Sequence, residues 1–252
     1  MPEQTELSRK NEIAVLMAAG LGARMRPLTD NTPKPLIKAH GRCLIETVIE
    51  GLEKRGVGHI YIVVGYLGEQ FRFLTGKYPN VSLIENREYT YKNNISSVYA
   101  AADKMREADC FICEADLYVS DAEIFCTELD RSCYFGKMVG GYSGDWVFDL
   151  DGRGIITRVG KGGTDTYNMV GISYFKQREA RIIADAVTEA YRHEGHGQLY
   201  WDEIVDRELD RLELVIHPVT AQQIAELDTE AELAEFDPDY RKYNDVPVRA
   251  DK

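Results

Sequence analysis

Three basic residues, Arg24, Arg26 and Lys34, crowd into one short stretch of an otherwise acidic chain. They follow directly behind the small-residue run Ala18-Ala19-Gly20-Leu21-Gly22-Ala23. A guanidinium can grip phosphate oxygens in pairs and an ammonium acts as a point charge. Glycines and alanines leave backbone N–H groups uncovered, which suits an anion. Together they suit a polyphosphate. Gly-x-Gly alone would equally be a tight turn, and it is the company of Arg24 and Lys34 that favours phosphate binding. No Gly-x-x-x-x-Gly-Lys-Ser/Thr motif is present, and no third glycine completes a dinucleotide fingerprint. Two acids, Asp116 and Asp228, each follow a short apolar run. Each has a plain alternative, Asp116 as a turn residue and Asp228 as a helix cap. Magnesium favours a couple of carboxylates supplemented by phosphate oxygens and water.

The elements that must position these groups are legible in the pattern. Ile13–Met17 reads as a buried parallel strand emptying into the glycine loop. A helix over 44–56 carries Leu44, Ile45, Val48, Ile49 and Leu52, and Gly56 ends it. Strands over 59–65, 81–85 and 110–115 alternate with helices over 69–78 and behind Ser97. That alternation predicts an α/β fold with a doubly wound, mainly parallel mixed sheet, in which ligands gather beyond the carboxyl ends of the strands. Gly20, Gly65 and Asn86 fall at those ends. Gly136–Gly144 and Val147–Val159 are expected to form a β-rich insertion, a meander or hairpin, with turns at Ser143-Gly144 and Asp151-Gly152. An amphipathic helix over 180–192 follows it. Residues 12–240 are expected to form one domain, with flexible ends at 1–11 and 241–252.

The stretch Ala18-Ala19-Gly20-Leu21-Gly22-Ala23-Arg24-Met25-Arg26-Pro27-Leu28-Thr29, followed by Pro33-Lys34-Pro35-Leu36, resembles the signature of the sugar-nucleotide pyrophosphorylase-like nucleotidyltransferases. Asn93-Asn94-Ile95-Ser96-Ser97, the block Val64–Phe71 and Leu199-Tyr200-Trp201-Asp202 narrow the resemblance to the bacterial CTP:phosphocholine cytidylyltransferases, over about residues 12–240. The resemblance implies transfer of CMP from CTP to phosphocholine, giving CDP-choline and pyrophosphate. It assigns Arg24, Lys34 and Lys161 to catalysis, although Lys161 lacks the glutamate and proline that flank the family's lysine. It assigns Ala19, Gly20, Leu21, Gly22, Ala23, Gly65, Tyr66, Asn93, Asn94 and Ser97 to the nucleotide, and Asp116 and Asp228 to Mg2+. Asn94 or Ser96 could instead simply cap the following helix.

Trp146 and Trp201 are the chain's two tryptophans. A ring face beside a carboxylate suits an ammonium group, and the resemblance implies that Trp146, Tyr200, Trp201 and Asp202 form the acceptor pocket. Tyr200 and Trp201 could equally be core residues opening a helix, with Asp202 as its cap. Other acceptors for the same chemistry are 2-aminoethylphosphonate, phosphoethanolamine or a sugar 1-phosphate. A primary amine would value carboxylates more and rings less. A reading of another class is a non-catalytic nucleotide-sensing domain, against which the intact Arg24, Lys34, Asp116 and Asp228 count.

The net charge of −12 disfavours nucleic acid and anionic membranes as partners. No apolar run reaches the length of a membrane span, and the polar first residues lack a signal-peptide core, so a cytoplasmic location is expected. The five cysteines form no framework. Cys110-Phe111-Ile112-Cys113 has metal-like spacing but lies in an apparent strand, and it reads as structural thiols.

Overall fold

The computed structural model describes residues 11–244. In chain order its elements are β1 (Glu12–Ala18), the two-residue strands β2 (Lys38–Ala39) and β3 (Arg42–Cys43), α1 (Leu44–Arg55), β4 (His59–Val64), α2 (Arg72–Lys77), β5 (Val81–Glu85) and α3 (Ile95–Met105). Then come β6 (Asp109–Glu114), β7 (Leu117–Val119), α4 (Glu123–Cys126), the long strands β8 (Cys133–Leu150) and β9 (Ile156–Phe175), and α5 (Gln177–Ala190). The chain continues through α6 (Trp201–Arg207), β10 (Val215–Pro218), β11 (Ile224–Glu226) and α7 (Glu230–Phe236).

Seven strands form one sheet in the order β10-β8-β9-β6-β1-β4-β5. β1 lies between parallel neighbours β4 and β6, which is why its run Ala14-Val15-Leu16 is apolar on both faces and fully buried. Beyond β6 the sheet turns antiparallel through β9 and β8, while β10 runs parallel to β8. Ile45, Val48, Ile49 and Leu52 of α1 press on one face. Ile95, Val98, Ala101 and Met105 of α3, with Ala180, Ile183, Ala184 and Val187 of α5, cover the other. Each such buried aliphatic side chain is worth about 1.5–3 kcal/mol relative to exposure. The mixed, doubly wound α/β sheet matches the expectation. Gly56 closes α1 at φ 85°, donating to the carbonyls of Leu52 and Glu53.

The β-rich region differs in detail from its expected form. Strand β8 runs straight through Ser143-Gly144, where a turn was expected, and absorbs the glycines as register shifts against β9. The turn at Asp151 is present: its Oδ1 accepts the N–H groups of Arg153 and Ile155. The helix expected over 69–78 is a turn over Gly68–Phe71 leading into α2. At the C-terminal side, residues 241–244 are fixed rather than free, because Asn244 exchanges two hydrogen bonds with the backbone of Lys38 at 2.8 Å each. The remaining expected flexible ends, 1–10 and 245–252, lie outside the described residues. None of the described helices is long and apolar enough to cross a membrane. The described cysteines are free, and Cys43, Cys110, Cys113 and Cys133 are buried.

Candidate active site

Where β1 ends, the chain enters the loop of Gly20, Leu21 and Gly22. Gly22 sits in the left-handed region at φ 61°, and a Cβ there would lie 2.9 Å from Cβ of Lys34. Only glycine lets the loop close against the Lys34 segment. Thr29 locks the same contact, donating from its hydroxyl to the Gly22 carbonyl at 2.9 Å. A single 3-10 turn over Ala23–Met25 follows, so the loop runs into no long helix that could add a helix-end field.

Lys34 is the centre of the site. Its side chain is only 8% exposed, and Nζ donates to Asp116 Oδ2 at 2.6 Å and to Asp228 Oδ1 at 2.7 Å. Burial opposes the charge on Lys34, but the charges and hydrogen bonds of the two aspartates outweigh it and raise its pKa. Lys34 therefore stays an ammonium throughout the neutral range. Burial likewise pushes the Asp228 carboxyl upward, yet Lys34 and Arg24 pull it below its ordinary range. Arg24 reaches Asp228 Oδ2 at 2.7 Å with 69% of its side chain exposed, leaving guanidinium N–H groups on the solvent side.

Asp116 stands two residues past the end of β6. Asp228 stands two residues past β11, which pairs antiparallel with β7. Asp228 is not the helix cap: Thr229 caps α7, and Glu232 returns its carboxylate to the N–H groups of Asp228 and Thr229 at 2.8 Å each. The cap fixes the segment and leaves the Asp228 carboxylate to the cleft. A cleft lined by Gly20, Arg24, Asn94, Ser97, Asp116 and Asp228 adjoins a second opening lined by Gly22, Ala23, Arg24 and Lys34. Arg24, Lys34 and Asp116 thus share one rim at the carboxyl ends of the strands.

The residues expected on the nucleotide side divide into lining and bracing groups. Ala19, Gly20, Asn93, Asn94 and Ser97 line the cleft. Leu21 is 40% exposed on the loop's outer side. Gly65 and Tyr66 stand behind the loop. Tyr66 donates its N–H to the Ala19 carbonyl at 3.1 Å and its hydroxyl to the carbonyls of Thr29 and Asp30 at 2.9 and 3.0 Å. A Cβ on Gly65 would meet the Ala19 carbonyl oxygen at 2.9 Å and the Tyr89 ring at 2.7 Å. Asn94 occupies the cap position of α3 without capping it. Its Oδ1 accepts the Trp201 N–H at 3.0 Å instead, tying the start of α3 to α6.

The expected acceptor residues do not form one open box. Trp146 and Tyr200 meet edge to face with centroids 5.4 Å apart, and the ammonium of Lys161 stands over both rings at 5.8 and 5.3 Å. Lys161 is therefore grouped with these aromatics, and it does not line either cleft opening with Lys34. Trp201 is a core residue, 3% exposed and packed on Tyr134 and Phe175, so its ring offers no free face. Asp202 is buried and does not cap α6. It accepts the Tyr134 hydroxyl at 3.1 Å, and burial raises its pKa to about 7 against that bond.

Of the cleft residues not expected from sequence, Asn86, Glu114 and Glu226 bear most on the site. Asn86 donates to the hydroxyls of Ser96 and Ser97 at 2.9 and 3.2 Å, bracing the first turn of α3. Glu114 and Glu226 also line the cleft. Burial, then the charges of Asp116, Glu226 and Asp202, pushes Glu114 well above the carboxylate range; burial and the charges of Asp228 and Asp116 raise Glu226 to about 7. The repeated pattern Glu114-Ala115-Asp116 and Glu226-Leu227-Asp228, each closing a strand, is the signal that could have found them.

Residues 14–133 match the MobA-like NTP transferase domain. The chain is 57% identical over 227 residues to the 2-aminoethylphosphonate cytidylyltransferase of Lancefieldella rimae, covering 90% of this chain and 92% of that one. The chain belongs to the cytidylyltransferases. The choline-phosphate cytidylyltransferase of Streptococcus pneumoniae is 32% identical to this cytidylyltransferase over 237 residues, 92% and 97% of the two chains. The solved structure of the CTP:phosphocholine cytidylyltransferase from Streptococcus pneumoniae superposes with a TM-score of 0.84 at 30% identity, covering 90% of this chain and 98% of that one. The mixed, mostly parallel sheet described above is thus the nucleotidyltransferase fold.

Proposed function

We propose that the enzyme transfers CMP from CTP to 2-aminoethylphosphonate and releases pyrophosphate. The observation that carries the choice of acceptor is the filled aromatic corner. Lys161 already places an ammonium over Trp146 and Tyr200, and the Trp201 ring is buried. A trimethylammonium group, which binds by ring faces, finds no vacant box. The cleft offers carboxylates instead, and these suit a primary ammonium with three N–H donors. The relative at 57% identity is named for 2-aminoethylphosphonate, and the choline-phosphate relative stands at 32%. Phosphocholine, the first expectation from sequence, is accordingly the competing acceptor.

In the proposed reaction a phosphonate oxygen attacks the α-phosphorus of CTP, and the bond to the bridging oxygen of pyrophosphate breaks with its electrons. The attacking oxygen is already ionised near neutral pH, so no general base is needed. The protein's task is alignment and charge neutralisation. The amides of the Gly20–Ala23 loop and the exposed Arg24 would hold the β- and γ-phosphates. Lys34 would meet the charge gathering around the α-phosphate. Asn93, Asn94 and Ser97, braced by Asn86, would face the base and ribose.

The Asp116 and Asp228 carboxylates suit Mg2+. Both lie within hydrogen-bonding reach of one nitrogen, and their hard oxygens face a cleft with room for phosphate and water. Among the described residues no group of three or more acids, histidines or cysteines could hold a metal, which fits an ion that arrives with its triphosphate. Such an ion would draw charge off the α-phosphate and the leaving pyrophosphate.

The test is pyrophosphate release across a matrix of CTP and UTP against 2-aminoethylphosphonate, phosphocholine, phosphoethanolamine and a sugar 1-phosphate. The reading expects the highest kcat/KM for CTP with 2-aminoethylphosphonate. A higher value for phosphocholine would overturn it.

A further inference from the structure

The mechanism above leaves two acids in the cleft without a task, Glu114 and Glu226, and of these Glu226 is hydrogen-bonded to Asp228. Glu114 ends β6, two residues before Asp116. It lines both the nucleotide cleft and a small recess walled by Tyr134, Ser173, Trp201 and Asp202. The acids around it are each engaged. Asp116 and Asp228 hold Lys34, and Glu226 is hydrogen-bonded to Asp228. Asp202 accepts the Tyr134 hydroxyl, and Glu203 accepts the Tyr200 N–H at 2.7 Å. Within this group only Glu114 has neither a hydrogen bond nor an ion pair to the described residues.

Space is kept for it all the same. Gly171 on β9 lies at φ 75°, and a Cβ there would come within 2.8 Å of Glu114 Oε2. A side chain at position 171 would therefore push the carboxylate out of its place. Half-buried among other acids and without a partner, the Glu114 side chain is an unsatisfied acceptor, and a ligand that brings a cation with N–H donors satisfies it.

We propose that Glu114 receives the ammonium group of the acceptor and so selects a primary amine over a trimethylammonium. The inference rests on the 2-aminoethylphosphonate reading above and adds the residue that enforces it. A primary ammonium presents three N–H donors to the carboxylate oxygens, whereas a trimethylammonium presents none. Charge attraction alone would serve both; the hydrogen bonds distinguish them.

The experiment compares 2-aminoethylphosphonate with ethylphosphonate, which keeps the phosphonate and lacks the amine, in the wild type and in Glu114→Gln. For 2-aminoethylphosphonate the variant should lose about 10- to 100-fold in kcat/KM, chiefly through KM, the range of a charged hydrogen bond. For ethylphosphonate the loss should stay within about threefold, and the KM for CTP should not move. Glu114→Asp, which keeps the charge on a shorter stem, should recover part of the loss, and it serves as the readout if the glutamine variant melts early. Equal losses on both phosphonates, or none on either, would overturn the assignment of Glu114 while leaving the acceptor reading intact. A wild type that does not use 2-aminoethylphosphonate would overturn both.

Discussion

Replacing Lys34 by methionine keeps the stem and removes the ammonium from between Asp116 and Asp228. Two short charge-assisted bonds, at 2.6 and 2.7 Å, are lost. In a fully dry site, removing one partner of a buried pair costs about 3–5 kcal/mol. Here the two aspartates keep 25% and 19% of their side chains exposed, so water screens part of that penalty. A stability loss of about 2 kcal/mol is expected, a fall of about 4–8 °C in Tm for a chain of this size. The effect on chemistry should be larger. A preorganised cation lost from a developing negative charge costs roughly 100- to 1000-fold in kcat. The assay is steady-state pyrophosphate release at saturating CTP, run well below the variant's melting temperature so that folding and catalysis separate. A kcat within threefold of wild type, in a variant that melts cooperatively, would remove Lys34 from the chemistry and refute the reasoning.

Arg24→Ala should leave Tm almost unchanged, because its ion pair with Asp228 is solvent-exposed, yet raise the KM for CTP about tenfold. Gly22→Ala forces a side chain into the left-handed region against Cβ of Lys34; differential scanning calorimetry should show a loss of about 1–3 kcal/mol, with kcat falling alongside. Asp202 has a folded-state pKa near 7, above the unfolded value of about 4, so its contribution to stability is lost as pH climbs through that window. In Asp202→Asn, which can still accept the Tyr134 hydroxyl, the stability difference from wild type should shift in the variant's favour between pH 5 and pH 8, by about 2–3 kcal/mol; a constant difference would count against a raised pKa.

Much of the site could be read from sequence because its parts are local. The glycine loop, Arg24 and Lys34 lie in one continuous stretch, and Asp116 and Asp228 each stand just past a short apolar strand whose end is predictable. What could not be read depends on side-chain direction over long sequence separations. Trp201 next to Asp202 looks like an amine pocket in a linear reading. The helical spacing of Trp201, Ile204 and Val205 instead turns that face toward Tyr134 and Phe175. Lys161 lies on a ribbon whose register shifts several times against β8, and each shift changes which way a side chain points. Glu114 drew no notice because a single acid at the end of an apolar strand reads as punctuation. Its meaning comes from Gly171, which is far away in sequence and adjacent in space.

The most direct test of the central claim is a 31P NMR spectrum of the wild-type enzyme with CTP, Mg2+ and 2-aminoethylphosphonate. The account predicts that the CTP signals decay while free pyrophosphate and a spin-coupled phosphonate–phosphate pair grow together in equal amounts. Intact CTP under these conditions, with turnover appearing only when phosphocholine is supplied, would contradict it.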